Sequence, residues 1–134
     1  MSAPLMRKVL LIGCDSDVLQ LVKIILTRQG NYEFVSTESG HHGLTLAGKE
    51  LPDLIIIQIM MRDMIGYDVC TQLKQSPTIS RVPVLLHGAL ASEKAYPPAQ
   101  ACGAAGYLEQ PYPPQALVAA CEAVLRDGTY YPSL

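Results

Sequence analysis

The chain has 134 residues, 49% hydrophobic and 16% charged, with a formal net charge of -2. That length suits one domain with a single core, and the apolar fraction excludes an intrinsically disordered chain. The nearly balanced charge gives no footprint for direct nucleic-acid binding or for an anionic membrane surface.

In chain order, Arg7-Lys8 precede the apolar run Val9-Leu10-Leu11-Ile12. The run is too short to span a membrane and no small-residue cleavage site follows it, so it reads as a first strand buried on both faces. Asp15 or Ser16 can cap the next helix, in which Val18, Leu21, Val22, Ile25 and Leu26 share one face and Gly30 is the stop. Tyr32 to Thr37 reads as a strand. Ser39 to Glu50 reads as a helix weakened by Gly40, Gly43 and Gly48, at roughly 1 kcal/mol for each interior glycine. Pro52-Asp53 is a turn signal before Leu54-Ile55-Ile56-Ile57, the central strand, which ends at Gln58 and opens into a Met-rich loop.

Tyr67 to Lys74 is a short helix, and Pro83 introduces a strand from Val84 to His87. Pro97-Pro98 is expected to break a helix begun at Ser92, because an interior proline costs ~3 kcal/mol. Pro98 can instead open a much shorter helix ending near Cys102. Tyr96, placed before a proline, is then freed from the helix and displayed toward the fifth strand. Gly106-Tyr107-Leu108 is that strand, and Gln115 to Arg126 the final helix. Alternating strands and helices give an α/β fold, a doubly wound flavodoxin-like (βα)5 unit with a parallel five-stranded sheet in the order 2-1-3-4-5.

The four cysteines, Cys14, Cys70, Cys102 and Cys121, have neither metal-site spacing nor the density of a disulfide scaffold. They read as reduced thiols in a cytoplasmic protein. No cofactor is implied, and no Gly-rich phosphate loop follows the first strand to suggest a flavodoxin-like enzyme.

In an open parallel sheet, ligands and chemistry sit at the carboxyl ends of the strands, which here brings Gln58 to the focal point. The stretch PDLIIIQIMMRDMIG resembles the third strand and following loop of a response-regulator receiver (CheY-like) domain, usually PDLxxxDxxMPxMDG. The resemblance covers residues 8 to 126. It implies an aspartate phosphoryl acceptor where this chain has Gln58 and an acidic, Mg²⁺-holding pair where it has Gly13 and Cys14. It implies a Thr or Ser where it has Gly88, and a Lys before a cis proline where it has Gln110 before Pro111. The framing residues Pro52-Asp53, Met60-Met61, Gly66, Pro83, Gly103, Tyr107 and Pro111 are kept.

A glutamine cannot form an acyl phosphate, and Mg²⁺ binding needs at least one or two carboxylates. The resemblance therefore implies a degenerate pocket at Gly13, Cys14, Gln58, Gly88 and Gln110, a pseudo-receiver. Asp15 and Asp63 are expected to be a helix cap and a solvated loop charge, not a rebuilt metal site. Cys14 is expected to be a small buried thiol, since strand alternation would aim Gly88, not His87, into the pocket. His41 and His42 diverge on a helix and read as surface residues.

The resemblance also implies partner or dimer contacts on the face of the fourth helix, fifth strand and fifth helix, with Tyr107 at the family's rotameric switch position. Tyr96, Tyr107, Val118 and Leu125 are the candidates there, and the Val118/Leu125 stripe reads equally as partial burial or as a dimer contact. Residues 1–126 form the receiver-like domain and 127–134 a tail or the start of a linker. The stretch LRDGTYYPS, from Leu125 to Ser133, resembles the linker after NarL/LuxR-type receivers and so implies a piece of a DNA-binding regulator. Two functions follow. One is a non-catalytic, phosphorylation-independent module of two-component signal transduction, phosphorelay or transcription control, acting on a protein partner or as a homodimer. The alternative is a small-molecule-binding domain using the neutralised pocket.

Overall fold

Side-chain alternation along three strands with apolar runs sets the architecture. The computed structural model describes residues 6–29 and 31–134. Its elements in order are β1 (Arg7–Ile12), α1 (Ser16–Thr27), β2 (Tyr32–Thr37), α2 (Gly40–Glu50), β3 (Leu54–Gln58) and α3 (Gly66–Gln75). They continue with β4 (Val84–Gly88), α4 (Ser92–Ala101), β5 (Gly106–Glu109) and α5 (Pro114–Asp127). Gly30, expected to stop α1, lies outside the described residues. The strands form one parallel sheet in the order β2-β1-β3-β4-β5, as expected.

Val9, Leu11, Leu54, Ile56 and Leu85 point to one face and pack with Val22 and Leu26 of α1 and with Leu117, Cys121 and Val124 of α5. Leu10, Ile12, Ile55, Ile57 and Leu86 point to the other and pack with Ala47, Val69, Leu73, Ala95 and Ala99 of α2, α3 and α4. Burying each of these branched side chains contributes roughly 1.5–3 kcal/mol. Among the described residues no helix is long and apolar enough to cross a membrane.

Carboxylates hold three helix starts. Asp15 caps α1 as expected, its Oδ1 accepting from the Val18 N–H at 2.9 Å. Asp63 is an exposed loop charge, as expected, but it has a second role. It caps α2 from a distant loop, accepting from Ser39 Oγ at 2.9 Å and from the N–H groups of Gly40 and His41 at 3.0 and 3.1 Å. Those two N–H groups are the main reason its carboxyl is held down at about 2. Glu109, at the end of β5, accepts from the Ser92 N–H at 2.8 Å and Ser92 Oγ at 2.9 Å, at the start of α4.

The fourth helix corrects the sequence expectation. It runs unbroken for 10 residues with both Pro97 and Pro98 inside it. Each proline deletes one backbone donor, but Ala95 and Ala99 are fully buried against the sheet and Glu109 secures the first turn. Together these outweigh the local penalty. Tyr96 is therefore not freed: it sits within α4, half-buried.

The C-terminal segment continues the sheet. Tyr130 pairs with Gly106 at the β5 edge, its N–H donating to Ala105 O at 2.8 Å and its carbonyl accepting from the Tyr107 N–H at 3.3 Å. A Cβ on Gly106 would lie 2.5 Å from the Tyr130 carbonyl oxygen, so this strand edge accepts the tail because residue 106 has no side chain.

Candidate functional site

The carboxyl ends of β1, β3 and the β5–α5 connection meet above the sheet, and there the structure joins three of the five expected pocket residues. Gln58 Nε2 donates to Gln110 Oε1 at 3.2 Å. Gly13 lies beside them at φ +85°, in the left-handed region. The thioether of Met61 lies over Gly13, in the space a side chain there would need. The Gln110–Pro111 bond is cis, as expected. These residues line an open cavity of about 360 Å³ together with Asp15, Glu38, Met60 and Arg62. Among the described residues no three His, Cys, Asp or Glu side chains converge.

Cys14 and Gly88 turn elsewhere. Cys14 is buried beneath the pocket on the α1/α5 side, and its Sγ lies 3.4 Å from His87 Nε2. Of the expectation that Gly88 and not His87 enters the pocket, the half concerning Gly88 is corrected: neither residue lines it, and His87 meets Cys14 beneath it. In this parallel sheet His87 pairs with Gln58 in register, so both project to the face where Cys14 lies. His87 is 0% exposed, and its Nδ1 sits 3.3 Å from the Tyr112 hydroxyl. Burial pushes the imidazole down to about 4. Burial, with the Asp15 charge as a smaller cause, pushes the Cys14 thiol up to about 12. The row Cys14–His87–Tyr112 is therefore neutral at physiological pH, and Cys14 is a thiol rather than a thiolate nucleophile. Gly88 faces Ile59, and its carbonyl accepts from the Gln110 N–H at 2.7 Å.

Tyr107 is 1% exposed and turned inward, its hydroxyl donating to the carbonyls of Gly88, at 2.7 Å, and Leu90. Tyr96 lies edge-on to it with ring centroids 6.2 Å apart, and edge-on to Tyr131 at 5.1 Å. The tail covers this cluster: Tyr96 donates to Pro132 O at 2.9 Å and Tyr131 to Ala104 O at 2.7 Å. A groove of about 590 Å³ remains, with Tyr96, Tyr107, Glu93, Glu109, Tyr130 and Pro132 among its walls. Val118 and Leu125 do not join it. Val118 lines a separate groove with Leu21 and Ile24 between α1 and α5, and Leu125 lies near Arg7 and Tyr32.

Met61, His87, Asp63 and Glu109 were not recognised from sequence for what they do here. Met61 and Asp63 carried one signal, their place in the loop after the central strand.

A parallel sheet with this strand order, with a cis proline after β5 and an inward tyrosine on it, defines a receiver fold. The response regulator receiver domain family matches residues 9–122, and the chain belongs to that family. It is 31% identical over 120 residues to a probable transcriptional regulator, ycf27, of Guillardia theta, covering 90% of this chain and 46% of that protein. It is 29% identical over 120 residues to the alkaline phosphatase synthesis transcriptional regulatory protein PhoP of Bacillus subtilis, covering 90% and 49%. Its backbone superposes on the chemotaxis response regulator CheY4 of Vibrio cholerae with TM-score 0.82, at 27% identity, covering 90% of this chain and 99% of that one. The chain spans about half the length of the curated relatives it matches.

Proposed function

We propose that this chain is a pseudo-receiver: a regulatory module of signal transduction or transcription control that works without phosphorylation, without catalysis and in the cytoplasm. The hydrogen bond between Gln58 and Gln110 carries the reading. A neutral amide pair satisfies itself where the family's carboxylate and ammonium would hold a phosphoryl group between them. A glutamine amide offers no ionised oxygen for attack on phosphorus. Met61, seated over Gly13, leaves no room for a metal-binding carboxylate there.

Signalling then falls to surfaces, and the groove beside α4 and β5 is the candidate for a protein partner or a second copy. Tyrosines suit such a role because they are enriched at binding hot spots. The curated relatives are named as transcriptional regulators, which supports a role in transcription control; the near-balanced charge of this segment favours a protein partner over nucleic acid.

The test is incubation with a small phosphodonor and Mg²⁺ followed by intact mass. No phosphoryl adduct is expected, and an adduct in good yield overturns the proposal. Sedimentation of the wild type against Tyr96→Ala reads the surface role. Association or partner binding lost in Tyr96→Ala and kept in Val118→Asp, which lies in the separate α1/α5 groove, supports it. A second reading, capture of an uncharged or weakly anionic ligand, rests on the 360 Å³ cavity. A metabolite that raises the thermal midpoint through that cavity would favour it.

A further inference from the structure

Two of the four cysteines meet between α3 and α4. Cys70, on α3, is fully buried, and its Sγ donates to the carbonyl of Cys102 at 3.4 Å across a separation of 32 residues. Cys102 follows the last turn of α4, is half-buried, and donates its own thiol to Ala99 O at 3.2 Å. Lys74, one turn beyond Cys70, runs its stem past Gly103 and anchors its ammonium on Ser80 O and Val82 O at 3.2 and 2.7 Å. Its charge reaches both sulfurs.

We propose that Cys70 and Cys102 form a redox-responsive thiol pair, converted by a hydroperoxide into a disulfide that joins α3 to the end of α4. Cys102 reacts first because it is the partner that solvent reaches. The adjacent Cys70 thiol, with the Ala104 N–H and Lys74 as smaller causes, draws the Cys102 thiol below its ordinary value, and the same neighbour raises Cys70. Burial of the half-covered Cys102 sulfur opposes this and is outweighed.

In the first step the Cys102 thiolate attacks one peroxide oxygen. The O–O bond breaks, the sulfur is oxidised by two electrons to a sulfenic acid, and the departing hydroxide takes a proton to become water. In the second, Cys70 sulfur attacks Cys102 sulfur. The S–S bond forms, the S–OH bond breaks, and the second hydroxide leaves with the Cys70 proton as water. The bond to Ala99 O and the bond from Cys70 to Cys102 O are both given up. Cys14 and Cys121 are each buried and pushed up to about 12 by burial, so they stand outside this chemistry.

The bridge would lie beside the tail. Cys102, Tyr96 and Tyr131 pack on the same side of the core, so oxidation gives the α4 face a second input that owes nothing to phosphate.

The experiment treats the reduced full chain with hydrogen peroxide, alkylates the remaining thiols under denaturing conditions and maps the peptides. The expected product is one intramolecular Cys70–Cys102 linkage, reversed by a dithiol reductant and absent from Cys102→Ser. Cys70→Ser should accumulate a Cys102 sulfenic acid that a cyclic dione traps. Because Cys70 is buried, Cys102→Ser alone suffices should Cys70→Ser fail to fold. Four alkylatable cysteines after a dose that fully oxidises glutathione overturn the proposal. A product linking Cys102 of two copies, or involving Cys14 or Cys121, does so equally.

Discussion

Gln58 and Gln110 share a hydrogen bond of 3.2 Å between side-chain amides placed 52 residues apart. The pairing makes each replacement intelligible through the other. A carboxylate left facing Gln110 would lack a cation, and a lysine left facing Gln58 would lack an anion. The expected outcome is that Gln58→Asp alone stays unphosphorylated by a small donor with Mg²⁺, since metal and phosphoryl oxygens remain unsupported. Efficient labelling, read by intact mass, would mean that Asp15 or Asp63 can leave its helix cap and serve as a ligand.

Gly13 and Met61 form a second complementary pair. Gly13→Ala must place a Cβ both at φ +85° and against the Met61 thioether. The expected loss is about 1–3 kcal/mol of unfolding free energy in urea titration. Combining it with Met61→Ala should recover the steric part and leave the backbone part, giving a favourable coupling in a double-mutant cycle. Strict additivity would show that Met61 does not occupy that space in solution.

The strands were legible because Val9–Ile12, Leu54–Ile57 and Val84–Leu86 are apolar runs bounded by turn residues. Their burial on both faces leaves one arrangement open to them. The pocket was legible only as a set of substitutions on a known frame. What sequence reasoning missed is non-local. The proline rule describes α4 in isolation, whereas Ala95, Ala99 and Glu109 hold that helix from outside it. Likewise Asp63 looks like a loop charge until α2, which starts 23 residues before it, presents its free N–H groups. Alternation does put His87 and Gly88 on opposite sides of β4, and what it cannot show is that the turn after β1 carries Cys14 to the His87 side.

His87 predicts an acid-sensitive stability. Its imidazole titrates near 4 when folded and near 6.5 in an unconstrained chain, so the unfolded state binds the extra proton first. Its contribution is complete above pH 6.5 and is lost as pH falls from 6.5 toward 4, by about 3 kcal/mol. His87→Gln should flatten that segment of a urea-midpoint profile while leaving the carboxylate-dependent fall below pH 4. An unchanged slope would assign the acid loss to other groups.

Gly106 sets the position of the tail. Gly106→Ala drives a Cβ into the Tyr130 carbonyl, backbone against backbone, which neither side relieves by rotation. The tail should detach, with faster hydrogen exchange at the Tyr130 amide and a loss of about 1–3 kcal/mol. In a chain ending at Gly128 the same substitution should be nearly neutral. A comparable loss in both backgrounds would locate the damage in β5 itself.

The last prediction concerns the prolines of α4. Pro97 withholds the N–H that would reach Glu93 O, and its ring crowds that carbonyl. Pro98 does the same one residue on, toward Lys94 O. Because the helix is already complete from Ser92 to Ala101, substitution has no break to mend and should change energy, not shape. Pro97→Ala restores one helical hydrogen bond on an exposed face, against the greater freedom alanine gives the unfolded chain. The bond and the removed clash outweigh that freedom, so the variant should gain about 1 kcal/mol. The Tyr96, Tyr107 and Tyr131 ring resonances should stay unshifted, because Ala95 and Ala99 already fix the helix against the sheet. A rearranged aromatic cluster would mean instead that the prolines set the path of α4 past β5, and that the tail docks where they leave room for it.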